Sequence, residues 1–181
     1  MRTSIYTAIL LLAFLNYSCG DEKKGSDSAE PEVKTVEQKF EHKAEKIEAS
    51  FKDEDLSMIF SQYIDLKTAL INSDAAAASQ SAAVLTKAFA NKGVDEASLS
   101  TVKKIEATKD IEAQRSAFVG VTNTVEELLK DGLESGKLFK QYCPMAFKNT
   151  GAYWLSETKE IANPYFGEKM YRCGRIDSII Q

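Results

Sequence analysis

Histidine is nearly absent: His42 is the one imidazole in 181 residues. That excludes a His-containing zinc site of the usual kind. No carboxylate pair, nucleophile–base set or glycine-rich phosphate loop stands out either, so the chain is expected not to be an enzyme. A basic stripe interleaved with aromatics is also missing. With a net charge of −4, this argues against nucleic acid as a partner. Long apolar runs are lacking: Ile5–Leu15 is too short to span a bilayer, and nothing after it is longer. Cysteine is limited to Cys19, Cys143 and Cys173.

What is present at the start reads as a targeting segment. Arg2 precedes the apolar run, and Asn16-Tyr17-Ser18-Cys19-Gly20 follows it. Residues 1–18 are expected to be a signal peptide. A small residue before Cys resembles a lipoprotein cleavage box, with Asn16 standing where Leu or Val is usual. Cys19 is therefore the expected lipidation site, and the competing reading is an ordinary secretory signal with an incidental cysteine. The acidic start Gly20-Asp21-Glu22 resembles the export signals of Bacteroidetes lipoproteins. Residues 19–35 are polar and low in complexity, which fits a flexible linker rather than a folded element. The expected address is the cell envelope, lipid-anchored in the outer membrane on its periplasmic or surface side.

Residues 36–181 suit one domain, and a 44% hydrophobic content is ample for a core. Val36, Phe40, Ala44, Ile47 and Phe51 recur at helical spacing and predict a short helix packed on the body or a solvated stalk. His42 falls in that stripe and reads as a surface residue. Leu56, Ile59, Phe60, Tyr63, Leu66 and Leu70 predict an amphipathic helix capped by Asp53 or Asp55. An alanine-rich helix carrying Ala78, Ala82, Leu85 and Phe89 follows, stopped at Gly93. Asp95 and Asp110 start two more, the last with Phe118, Val121, Val125 and Leu128 inward. Arg115 and the pair Glu126-Glu127 read as solvated helix charges, with anion binding the competing reading for Arg115. Short connections favour antiparallel neighbours. The expected fold is mainly α, an antiparallel four-helix bundle with a small C-terminal β-hairpin/loop cap.

After Gly136 the pattern changes. Leu138–Cys143 is strand-like, Lys148–Gly151 is a turn, and Ala152–Leu155 is the returning strand. Asn163-Pro164-Tyr165-Phe166-Gly167 forms a second turn, and Met170–Ile176 closes the module. Four sulfur side chains fall here: Cys143, Met145, Met170 and Cys173, with the only tryptophan, Trp154, between them. Sulfur donors suit a soft cation, above all Cu(I). One reading takes all four as ligands to a single Cu(I), with Trp154 shielding it or offering its π face. The other makes Cys143–Cys173 a disulfide, as two thiols left in an oxidising compartment commonly become. Met145, Met170, Trp154 and Phe166 are then core.

The motifs CPMA at Cys143, G-x-x-WLS at Gly151 and I-x-NPYFG-x-x-M-x-x-CG from Ile161 resemble the domain-of-unknown-function family 3347. The likeness runs from about Leu56 to Ile176 and is sharpest at 143–174. That family occurs in lipoproteins and secreted proteins of Bacteroidetes, and beside membrane-fusion adaptors of copper/silver efflux pumps. The resemblance implies an envelope protein that handles Cu(I) or Ag(I), sequestering the ion or passing it to a heavy-metal efflux adaptor. The alternative is a non-metal interaction module, a disulfide-stapled helical bundle docking on an envelope partner such as that adaptor.

Overall fold

The computed structural model describes residues 40–181. The expected signal peptide at 1–18, the lipidation site Cys19, the linker 19–35 and Val36 lie outside the described residues.

Four helices start on aspartates. Asp53 precedes α1 (Glu54–Ile71), Asp74 precedes α2 (Ala75–Lys92), Asp95 precedes α3 (Glu96–Glu106) and Asp110 precedes α4 (Ile111–Leu129). Each carboxylate accepts from backbone N–H groups of the first turn, as Asp53 does from Leu56 at 2.8 Å. Those groups have no partner inside a helix, and the negative charge also suits the N-terminal end of the dipole. The apolar stripes face inward at the expected positions. Leu56, Ile59, Phe60, Tyr63, Leu66 and Leu70 of α1 are buried, as are Ala78, Ala82, Leu85 and Phe89 of α2. Helix α1 packs on α2, α2 on α3, α3 on α4, and α4 back on α1.

Two small antiparallel sheets complete a mainly α chain. Strand β1 (Ser50–Phe51) pairs with β2 (Leu133–Ser135). Strand β3 (Leu138–Cys143) is the centre of the second sheet, between β4 (Ala152–Ser156) and β5 (Arg175–Ile180). The β3–β4 pair is the expected hairpin, with Cys143 opposite Ala152 and Gln141 opposite Trp154. The expectation of a hairpin with a closing loop is corrected by β5, which adds a third strand on the other side of β3. Ile176, Ile179 and Ile180 explain it, since β-branched side chains favour a pleated strand. Between β3 and β4 the chain makes a four-residue helical turn, α5 (Ala146–Asn149), in which Phe147, Lys148 and Asn149 have φ of 50°, 58° and 69°.

One column of aromatic rings ties the layers together. Phe51 of β1 meets Phe60, Phe60 meets Tyr63, Tyr63 stacks on Phe118, and Phe118 meets Tyr165, which meets Trp154. The Tyr63 hydroxyl accepts from the Leu155 N–H at 2.9 Å and bonds Thr122 Oγ1 at 3.0 Å, so α1, α4 and β4 share one buried oxygen. Burial keeps that phenol well above the usual tyrosine range.

The helix or stalk expected over 36–51 is not formed in its described part. Residues 40–49 have no regular secondary structure and run as a strap across the domain into β1. Tertiary pairing overrides the local periodicity here. The His42 N–H donates to Asn72 Oδ1 at 2.7 Å while Asn72 Nδ2 donates to the His42 carbonyl at 2.9 Å. A helix would have to use those same backbone groups internally.

Candidate functional site at the C-terminal sheet

Strand β3 carries Cys143 into the core at its C-terminal end, where the side chain is fully buried. Cys173 arrives from the opposite direction, held by Asn163. The Asn163 N–H donates to the Tyr171 carbonyl at 2.9 Å, Nδ2 donates to the Cys173 carbonyl at 2.7 Å, and Oδ1 accepts from the Tyr165 N–H at 2.8 Å. The NPYFG turn therefore works as a splint for the second cysteine. The two Sγ atoms stand 3.1 Å apart as free thiols, against about 2.05 Å for a disulfide bond. Burial and the hydrogen bond to Cys143, with its neighbouring charge, push the Cys173 thiol up to about 11. The raised pKa of Cys173 opposes thiolate chemistry at that sulfur.

The other predicted residues diverge. Met145 is 47% exposed. Met170 ends a 3-10 turn (Gly167–Met170), and its carbonyl accepts from the Cys173 N–H at 2.9 Å. Trp154 is fully buried, edge-on to Tyr165, and its ring lies against Gly174, where an added Cβ would come within 2.8 Å of it. So the structure brings the two cysteines together beside Trp154 and turns Met145 toward solvent. Among the described residues there is no group of three or more His, Cys, Asp or Glu that could hold a metal ion.

Arg115 is not the solvated helix charge expected. It is buried, and its guanidinium donates to the Pro164 carbonyl at 3.0 Å, the Leu70 carbonyl at 3.0 Å, Ser73 Oγ at 2.9 Å and Glu112 at 2.7 Å. Its donors go to the end of α1 and to the NPYFG turn, which answers the anion-binding reading. Gly167 seals the junction at φ +57°, where a Cβ would meet the Ile71 carbonyl at 2.7 Å and Arg115 at 2.8 Å.

A second buried charge cluster holds the strap. Glu45 takes 2.6 Å from Lys67 Nζ, 2.8 Å from Ser156 Oγ and 2.7 Å from the Glu157 N–H. Lys67 also donates to the Leu155 carbonyl at 3.1 Å and is fully buried. Burial raises the Glu45 carboxyl, but Lys67 and the backbone and hydroxyl donors outweigh it, leaving its pKa below the ordinary value. Burial pulls the Lys67 ammonium down while Glu45 pulls it up, and burial wins. The close three-donor geometry at Glu45 favours its carboxylate form despite burial. Next to it, His42 is half-buried rather than on the surface, with Nδ1 2.8 Å from the Tyr171 hydroxyl. Burial, then Lys67, lowers its pKa. Sequence reasoning missed Glu45 and Lys67 because a lone Glu and a lone Lys carry no local pattern.

The elements and this site define a mainly α domain closed by a small sheet with a buried thiol pair. Residues 59–136 match the family model described as Protein of unknown function (DUF3347), which supports the family resemblance over that part of the chain. The matched segment covers most of α1 through β2 and ends before Cys143, so the motifs at 143–174 lie outside it. No curated protein and no solved structure matches the chain.

Proposed function

We propose that the protein is a non-catalytic interaction module of the cell envelope, a helical bundle whose C-terminal sheet is stapled by Cys143 and Cys173. The single observation supporting it is the thiol pair at 3.1 Å with Met145 half exposed beside it. Oxidation forms the Sγ–Sγ bond and releases two protons and two electrons to a thiol–disulfide exchange partner of an oxidising compartment. The bond closes the loop that the NPYFG turn already shapes. In this reading Cys19 is the lipid anchor, residues 19–35 are the linker, and residues 36–181 are the domain presented to an envelope partner such as an efflux adaptor.

Copper or silver handling is the second reading, favoured by one feature: two thiols converge beside an indole in a chain almost free of histidine. The residues present fit it in part. Cys143 and Cys173 would supply two soft donors to Cu(I) or Ag(I), while Met145 and Met170 would have to turn inward. Competition for Cu(I) between the fully reduced protein and a chelator separates the two. The staple reading expects the chelator to keep the ion, and one Cu(I) held against it by the protein, lost in Cys143→Ser, overturns the staple reading.

A further inference from the structure

The C-terminal sheet carries a surface that its thiol pair does not use. Tyr142 and Tyr153 stand directly opposite each other on β3 and β4, with ring centroids 4.5 Å apart. A cation caps each ring: Arg175 over Tyr142 at 4.7 Å and Lys140 over Tyr153 at 4.5 Å. Both rings are half-buried, and Arg175 is exposed. The Tyr142 hydroxyl lies over Gly151, leaving no room there for a Cβ. That contact joins the rings to the turn that precedes β4.

The turn is unusual in itself. Phe147, Lys148 and Asn149 all sit in the left-handed region, which side chains other than glycine uncommonly adopt. It leaves Met145 and Lys148 exposed in the connection between the two strands that carry the tyrosines. Neither Lys148 nor Arg175 forms an ion pair among the described residues, whereas Lys140 is held by Glu126 at 2.7 Å. Charge follows the same division. Residues 137–181 hold seven Lys and Arg against four Asp and Glu, net +3, while residues 40–136 hold eleven against seventeen, net −6.

We infer that this face, built from Tyr142, Tyr153, Arg175, Lys148 and Met145, is the docking surface of the module, and that its partner is an acidic polypeptide segment. The inference rests on the interaction-module reading and gives that partner its chemistry. Tyrosine and arginine are the residue types that anchor interfaces, and methionine adapts to varied partners. Opposite charge steers the encounter and excludes basic competitors. A polypeptide is favoured over an anionic membrane because the Arg175 cation is seated over the Tyr142 ring and the Lys140 cation over Tyr153 is already paired with Glu126, so few charges are left to project toward a headgroup plane.

The test uses the full chain and a fluorescein-labelled decapeptide of alternating Glu and Phe, followed by anisotropy at low and raised salt. Binding is expected to fall at least tenfold in Lys148→Glu/Arg175→Glu, two exposed positions whose reversal leaves the helical circular dichroism unchanged. Lys109→Glu, on the helical part, should bind as the parent does. Equal binding by the reversed variant, or no preference over a Lys/Phe decapeptide, overturns the proposal. So does binding only to phosphatidylserine vesicles, or self-association lost in the variant without peptide binding. Those failures leave the interaction-module reading standing on another surface. Cu(I) held by the thiol pair would instead remove that reading itself.

Discussion

Lys67 and Glu45 are the residues on which the strap depends. Both are buried, and each supplies the charge that makes the other tolerable. Lys67→Met should therefore destabilise the domain by about 3–5 kcal/mol, the cost of leaving one buried charge uncompensated. Urea unfolding checks it, and Glu45→Leu in the Lys67→Met background should recover much of the loss. The same groups set the acid response. The folded Glu45 carboxyl lies below its unfolded value of 4.5, so its contribution is present above that pH and is lost as pH falls through the folded pKa. His42 also lies below its unfolded value of 6.5, so its contribution is present above that pH and fades on acidification through the folded pKa. Both signs agree. Stability should hold near neutrality and decline from about pH 6 downward, with Tyr171 and its neighbours released first. Thermal unfolding across pH 3–8 reads it, and a stability maximum on the acid side would contradict the assignment.

At the scale of elements, Phe118 links α1 to the C-terminal sheet through Tyr63 and Tyr165. It is fully buried, so Phe118→Ala should cost about 3–5 kcal/mol in denaturant unfolding. The helices were readable because each carries its own start signal and a regular inward stripe. Asp53, Asp74, Asp95 and Asp110 announce the four beginnings, and Gly93 announces one end. Strands β3 and β4 were legible from their turn residues. The strap was not, because Phe40, Ala44 and Ile47 have helical spacing while the deciding contacts lie far off in sequence, at Asn72 and Ser156. Strand β5 was missed for a similar reason: its pairing with β3 is bulged and its residues are mostly exposed, so no alternating burial pattern marks it. Arg115 was misread because a buried arginine satisfied by carbonyls looks, in sequence, like any arginine on a helix.

For the whole molecule, the helical part and the C-terminal sheet divide the work. The helices bear the family match and supply most of the core. The sheet module gathers the thiol pair, the splinting Asn163 and the basic aromatic face. Sequence spacing brought Cys143 and Cys173 into one candidate site but could not say which sulfurs converge, since convergence depends on the turn over 163–173. The central claim is that these two cysteines form a staple. Peptide mapping of the non-reduced protein isolated from an oxidising compartment tests it most directly. The account predicts one peptide pair joined through Cys143 and Cys173, separating on reduction and lighter than its reduced parts by two hydrogens. Recovery of both cysteines as free thiols carrying bound Cu(I) would contradict it.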